Sequence, residues 1–173
     1  MTASTNWNTF HVTGGGSGIG RHLAGMLAGR GAAVAVFDRN IPADATAEIE
    51  AARSDVDRPV HTAEVDVCDA DALAAAVAEA VTAIGPPRLA INSAGVSIND
   101  LFAVSRAEDF EKTIGVNLIG SRNFAAAILP HMTAGARLGL IASLAGITRG
   151  RTPPPGPAHP DGGVVGGPTV WRL

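Results

Sequence analysis

Short apolar runs alternate along this chain with longer segments in which apolar residues recur every three to four positions. The runs TFHV (9–12), AAVAVF (32–37), VHTAEV (60–65), RLAIN (88–92) and RLGLIA (137–142) are the strand candidates. AAVAVF is apolar without alternation, the pattern of a central strand covered on both faces. Between the runs, Ile19, Leu23, Met26, Leu27 and Arg30 keep helical spacing, with Gly29 and Gly31 placed to stop the helix. Residues 45–52 and 70–84 predict two further helices; Asp69 is the expected N-cap of the second, and GPP at 85–87 ends it. SRAE at 105–108 fits a capping box, with Ser105 capping and Glu108 reaching back, and it opens a long helix that Pro130 helps to end. Strands and helices in strict alternation predict an α/β fold, a doubly wound parallel sheet of about five strands.

The periodic pattern stops near Thr148. Six of the eleven prolines and six glycines lie between Gly150 and Pro168. A segment of that composition buries too little surface to offset its ordering entropy. The expected organisation is therefore one folded unit over residues 1–149 and a disordered Pro/Gly-rich tail over 150–173. With no strand beyond it, the run at 137–142 is expected to be an open sheet edge.

Composition narrows the function classes. The chain has 173 residues, 46% of them hydrophobic, enough for one core. A net charge of −3 and 4% aromatics disfavour nucleic acid, which needs a basic stripe or stacking platforms. No apolar run approaches membrane-spanning length, so no membrane partner is expected and the expected location is cytoplasmic. Cys68 is the single cysteine, which rules out an intrachain disulfide; its apolar context predicts a packing role. His11, His22, His61 and His131 show no metal-ligand spacing and are expected at strand and helix surfaces, so no metal is expected.

The strongest chemical signal is TGGGSGIG at 13–20, directly after the first strand candidate and opening the first helix. Gly14, Gly18 and Gly20 form a G-x-x-x-G-x-G pattern. Missing β-carbons permit a tight turn and the close approach of a pyrophosphate, whose charge then meets the free N–H groups of a helix N-terminus. Gly14, Ser17, Gly18, Ile19 and Gly20 are the candidate contacts. A P-loop is disfavoured because no Gly-Lys-Ser/Thr follows. At the end of the second strand stands Asp38, at the distance where a carboxylate accepts from adenosine ribose hydroxyls and repels a 2′-phosphate. This favours NAD over NADP; Arg39 pulls the other way, since a guanidinium reaches a 2′-phosphate or stacks on adenine.

With these motifs in their order, the sequence resembles the short-chain dehydrogenase/reductase family over residues 8–148. The resemblance is carried by TGGGSGIG (13–20), Asp38, Asp66 and Val67, NSAG (92–95), Asn117 in GVNLIGS, and Ser143 in IASLAG. It implies a Rossmann-like fold and a nicotinamide dinucleotide partner. Asp66 and Val67 would contact adenine, with Asp66 on its exocyclic amine. Asn92, Ala94 and Gly95 would line the cofactor channel, Asn92 also steadying the central strands. Asn117 would hold a water in a proton relay, and Ser143 would donate to a carbonyl or alcohol substrate.

The same family places a Tyr-x-x-x-Lys pair after that serine, the tyrosine as general acid and base. An unperturbed phenol, with a pKa of about 10, needs a neighbouring cation to exchange protons near neutrality. This chain contains no tyrosine, and its one lysine, Lys112, lies upstream where it reads as an i,i+4 partner of Glu108. His159 follows Ser143 but sits in GPAHPDGG, which offers no rigid support. The elements that follow in the family, including the usual oligomer contact and the substrate lid, have no counterpart here. Three readings stay open: an NAD(P)-dependent oxidoreductase by lineage, inactive in this truncated form; a non-catalytic NAD-binding module; and a frameshifted or truncated product without function. An adenosyl-cofactor methyltransferase is a minor alternative.

Overall fold

β1 (Thr9–Thr13), β2 (Ala33–Asp38), β3 (Val60–Glu64), β4 (Leu89–Asn92) and β5 (Arg137–Leu140) are the five runs anticipated from the sequence, each within a few residues of its expected bounds. They form one parallel sheet in the order β3-β2-β1-β4-β5 in a computed structural model that describes residues 8–97, 106–143 and 170–172. β2 and β3 build outward on one side of β1, and β4 and β5 on the other. The direction of winding therefore reverses between β1 and β4, and a crevice opens at the carboxyl ends of those two strands.

Alternation along the strands feeds two cores. Phe10, Val12, Val34, Val36 and Leu89 face α1 (Gly18–Ala28) and α2 (Ala43–Ala51), meeting Ala24, Leu27, Ala28 and Ile49. Ala35, Phe37, Ala90 and Leu138 face α3 (Ala70–Ile84) and α5 (Ser121–Ile128), meeting Leu73, Val77, Phe124 and Ile128. Asp69 caps α3 as expected, its side chain accepting the N–H of Ala72 at 3.0 Å. Gly85 then ends the helix at φ +93°, a conformation that favours glycine.

The long helix differs from a regular rod. It runs as α4 (Ala107–Ile114), a π-helical turn Gly115–Gly120, α5, and a 3₁₀ turn at Leu129–His131 that holds Pro130. Ser105 lies outside the described residues. Arg106 occupies the N-cap position, which puts Glu108 one residue too early to reach back as a capping box requires, and Glu108 instead pairs with Arg106 at 2.5 Å. Lys112 is exposed on α4.

Three further expectations are corrected. His11 is fully buried rather than at a surface, because β1 is flanked on both sides by strands and covered on both faces. Cys68 is exposed, standing in the turn between β3 and α3 rather than in a core. β5 is not an open edge, since β6 (Val170–Arg172) pairs with it antiparallel, Leu138 opposite Trp171, giving its outward backbone groups partners. The rest of the tail, His159 included, lies outside the described residues, as do residues 144–149.

Candidate functional site

The turn after β1 is built by contact as much as by conformation. Gly14 has φ +68°, and a β-carbon there would lie 2.6 Å from the backbone nitrogen of Ala94. A β-carbon on Gly20 would stand 2.2 Å from the carbonyl oxygen of Gly14, so α1 starts in direct contact with the turn. Gly18, at φ +51°, is different: a β-carbon there meets nothing within 4 Å. Ser17, at the N-cap of α1, makes no side-chain cap bond, and the first turn carries no acidic residue. The helix thus presents its positive end, unblocked, to the open side of the turn, the arrangement that suits an anion.

This open side faces a cavity of about 320 Å³. Gly14, Ser17, Gly18 and Ile19 form its floor from the first turn; Asp38 and Arg39 enter from β2; Asp66 and Val67 from the end of β3; Ser93, Ala94, Gly95 and Val96 from β4; Val116 and Ile141 close it. Asp38 accepts the N–H of Gly16 at 3.0 Å and that of Asn40 at 3.3 Å. Asp66 accepts the N–H of Cys68 at 2.9 Å, which turns the chain toward α3. Val67 is held against a second glycine, because a β-carbon on Gly120 would come within 2.5 Å of its Cγ2. Behind Val67, the buried Asn123 donates to its carbonyl at 3.0 Å.

Ten of the residues singled out from the sequence thus come together from four separate segments: Gly14, Ser17, Gly18 and Ile19; Asp38 and Arg39; Asp66 and Val67; and Ala94 and Gly95. Gly20, Asn92, Asn117 and Ser143 do not line the cavity. Asn92 is buried beneath it: its Oδ1 accepts from the Thr13 hydroxyl at 2.6 Å and its Nδ2 donates to Ser121 at 2.9 Å. The Ser121 hydroxyl donates in turn to the carbonyl of Asn117 at 2.6 Å. The side chain of Asn117 reads the backbone of Val96 twice, accepting its N–H at 2.8 Å and donating to its carbonyl at 2.9 Å. Asn117 therefore fastens the β4 loop to the π-helical turn. Ser143 is exposed, two residues beyond Ile141.

Thr13 and Ser121 escaped the sequence reading. Both stand inside motifs that were recognised, TGGGSGIG and GVNLIGS, yet the bonds that give them a role span 79 and 29 residues. No local spacing announces such pairs. Among the described residues no group of acidic, histidine or cysteine side chains is placed to hold a metal ion, and no helix is long and apolar enough to cross a membrane.

The sheet order, the glycine turn and the cavity at the switch point define a doubly wound α/β domain of Rossmann type. The sequence model of the short chain dehydrogenase family matches residues 8–153, and the chain belongs to that family. Probable oxidoreductase EphD of Mycobacterium tuberculosis is 37% identical over 114 residues, 65% of this chain and 19% of that protein. Probable galactose dehydrogenase GalD of Rhizobium meliloti is 32% identical over 122 residues, 70% of this chain and 47% of that protein. Among solved structures, a short-chain dehydrogenase/reductase from Serratia marcescens superposes with a TM-score of 0.78 at 28% identity, covering 91% of this chain and 62% of the other. Carveol dehydrogenase from Mycobacterium avium, in complex with NAD, gives 0.73 at 27% identity, covering 82% and 56%. The chain thus spans less than two thirds of each of these relatives.

Proposed function

We propose that this chain binds a nicotinamide dinucleotide in the cavity at the β1/β4 switch point, NAD in preference to NADP. The observation that carries this reading is the convergence of an unblocked helix N-terminus at Gly18 with the Asp38 carboxylate in one cavity. Pyrophosphate belongs over the turn at Gly14 and Gly18, adenosine ribose at Asp38, and adenine between Arg39 and the Asp66–Val67 wall. A carboxylate at the ribose site accepts from a 2′-hydroxyl and repels a 2′-phosphate. The fit of the residues supports this placement, since Gly18 leaves free the space that a phosphate oxygen needs.

By family, the chemistry is hydride transfer between the nicotinamide and a small carbonyl or alcohol substrate, with Ser143 donating to the substrate oxygen and Asn117 shaping the loop beside it. The acid and base for that reaction have no candidate here. The sequence has no tyrosine, and Lys112 is exposed on α4, outside the cavity lining. The reading for this chain is therefore a dinucleotide-binding unit over residues 1–149 that does not turn over by itself.

A thermal unfolding scan with and without NADH and NADPH, followed by an assay for hydride turnover, tests it. Ligand at 100 times its dissociation constant stabilises the folded state by about 2.7 kcal/mol. The reading expects an upward shift with NADH, a smaller one with NADPH, and no turnover. Turnover would make the chain an enzyme despite the missing pair. A transition that responds to neither nucleotide would leave the family motifs as remnants of a lost function.

A further inference from the structure

Gly16 is a glycine of the first turn that no conformational argument explains. Its φ is not in the left-handed region, unlike those of Gly14 and Gly18. Its neighbourhood explains it instead. A β-carbon at Gly16 would lie 2.4 Å from the backbone oxygen of Asn40, 3.1 Å from Asp38 Oδ2 and 3.2 Å from Asp38 Cγ. The nearest of these atoms is backbone and does not swing aside. At the same place the Gly16 N–H donates to Asp38 Oδ2 at 3.0 Å, while the Asn40 N–H donates to Oδ1 at 3.3 Å.

Two backbone donors from separate loops thus make one bond to each carboxylate oxygen. Every carboxylate oxygen accepts more than one bond, so both keep acceptor capacity for a ligand. A carboxylate held at both oxygens does not rotate away when a bulky or anionic group arrives. Its rejection of a 2′-phosphate is then a fixed geometric property and not an average over rotamers.

We propose that Gly16 is a specificity-determining positioning residue: by staying without a side chain, it lets the first turn close on Asn40 and clamp Asp38 in the orientation that selects a ribose diol over a 2′-phosphate. This rests on the reading of the cavity as a dinucleotide site.

The test is a fluorescence titration of the full chain with NADH and with NADPH, without substrate, for the wild type, Gly16→Ala and Asp38→Glu. Gly16→Ala is expected to weaken NADH about tenfold, the scale of one lost charge-assisted bond, and to shrink the NADH-over-NADPH ratio by a similar factor. Equal weakening of both nucleotides would mean that Gly16 serves the phosphate turn alone, and it would overturn the proposal while leaving the site intact. Asp38→Glu keeps the charge but moves it off the two donors; the ratio is expected to shrink here too, and an unchanged ratio would show that charge without clamping suffices. Asp38→Glu decides the matter if Gly16→Ala does not fold. A wild-type chain that binds neither nucleotide, or prefers NADPH, overturns the cofactor reading and this proposal with it.

Discussion

The hydroxyl of Thr13 donates to Oδ1 of Asn92 across 2.6 Å, tying together the carboxyl ends of β1 and β4 at the point where the sheet reverses its winding. Both residues are buried, and Thr13 Oγ1 also accepts the N–H of Ala94 at 3.3 Å. One hydroxyl thus holds the floor of the cavity to its far wall.

Thr13→Val keeps the shape and removes that hydroxyl, leaving Asn92 Oδ1 buried without its donor. The expected cost is about 1–3 kcal/mol. Urea denaturation at neutral pH measures it, and a loss below about 0.5 kcal/mol would mean that water replaces the hydroxyl at this place.

Acid is expected to destabilise the fold through His11. Burial pushes its pKa from 6.5 down to about 4, against a partial opposing effect of the bond that Nε2 donates to the Gly85 carbonyl at 3.2 Å; His61 and His131 depress it further. Its other ring nitrogen finds no partner among the described residues. The unfolded chain therefore binds the proton more readily than the folded one. Stability from this group is complete above pH 6.5 and is lost as the pH falls from there toward 4. The loss is on the order of 3 kcal/mol at most, from 1.36 kcal/mol per pKa unit. Denaturation curves at pH 7.5 and 4.5 for the wild type and His11→Gln check this; an equal pH dependence in both would place the effect elsewhere.

Gly14→Ala and Gly18→Ala are expected to behave differently although both place alanine at positive φ. At Gly14 the new carbon collides with backbone, whereas at Gly18 it enters open space. Gly18→Ala should fold with a loss of about 1 kcal/mol, the ordinary cost of a left-handed alanine. Gly14→Ala should lose several times more or fail to accumulate. Circular-dichroism melts of the two variants, side by side, give the comparison.

Gly120→Ala should cost about 1–3 kcal/mol by overpacking against Val67, which is itself buried. Val67→Ala should recover part of that loss when combined with it, although it destabilises on its own. The double-mutant cycle reads the coupling, and strict additivity would show that the π-helical turn yields instead.

Periodicity makes the sheet and most helix starts legible in the sequence. AAVAVF announced a strand covered on both faces, and Asp69 announced the start of α3, because both signals are local. The candidate site is largely legible, ten of the fourteen cavity-lining residues standing in motifs the sequence offers: Gly14 and Asp38 each carry their chemistry in a short motif, so their meeting could be anticipated. What pairs across the chain could not. The Thr13–Asn92 bond, the double grip of Asn117 on Val96 and the steric need for Gly16 arise from the return of distant strands, which no window of sequence contains. His11 and Cys68 were misjudged for the same reason, since exposure depends on neighbours that the fold supplies. The close packing of Gly120, in the π-helical turn, on Val67 is likewise invisible along the chain.

The sheet order has a consequence for the time course of folding. β1 pairs with β2 after a connection of one helix, but it pairs with β4 only after the intervening strands and helices have been made and the chain has returned past β1. Closing that long loop carries the larger entropy cost and comes late. The cavity needs Gly14 from one side of this junction and the Ser93–Val96 stretch from the other. A chain that has formed β1 through β3 already holds the strand side of the α1–α2 core, yet its cavity has no second wall until the fourth strand docks.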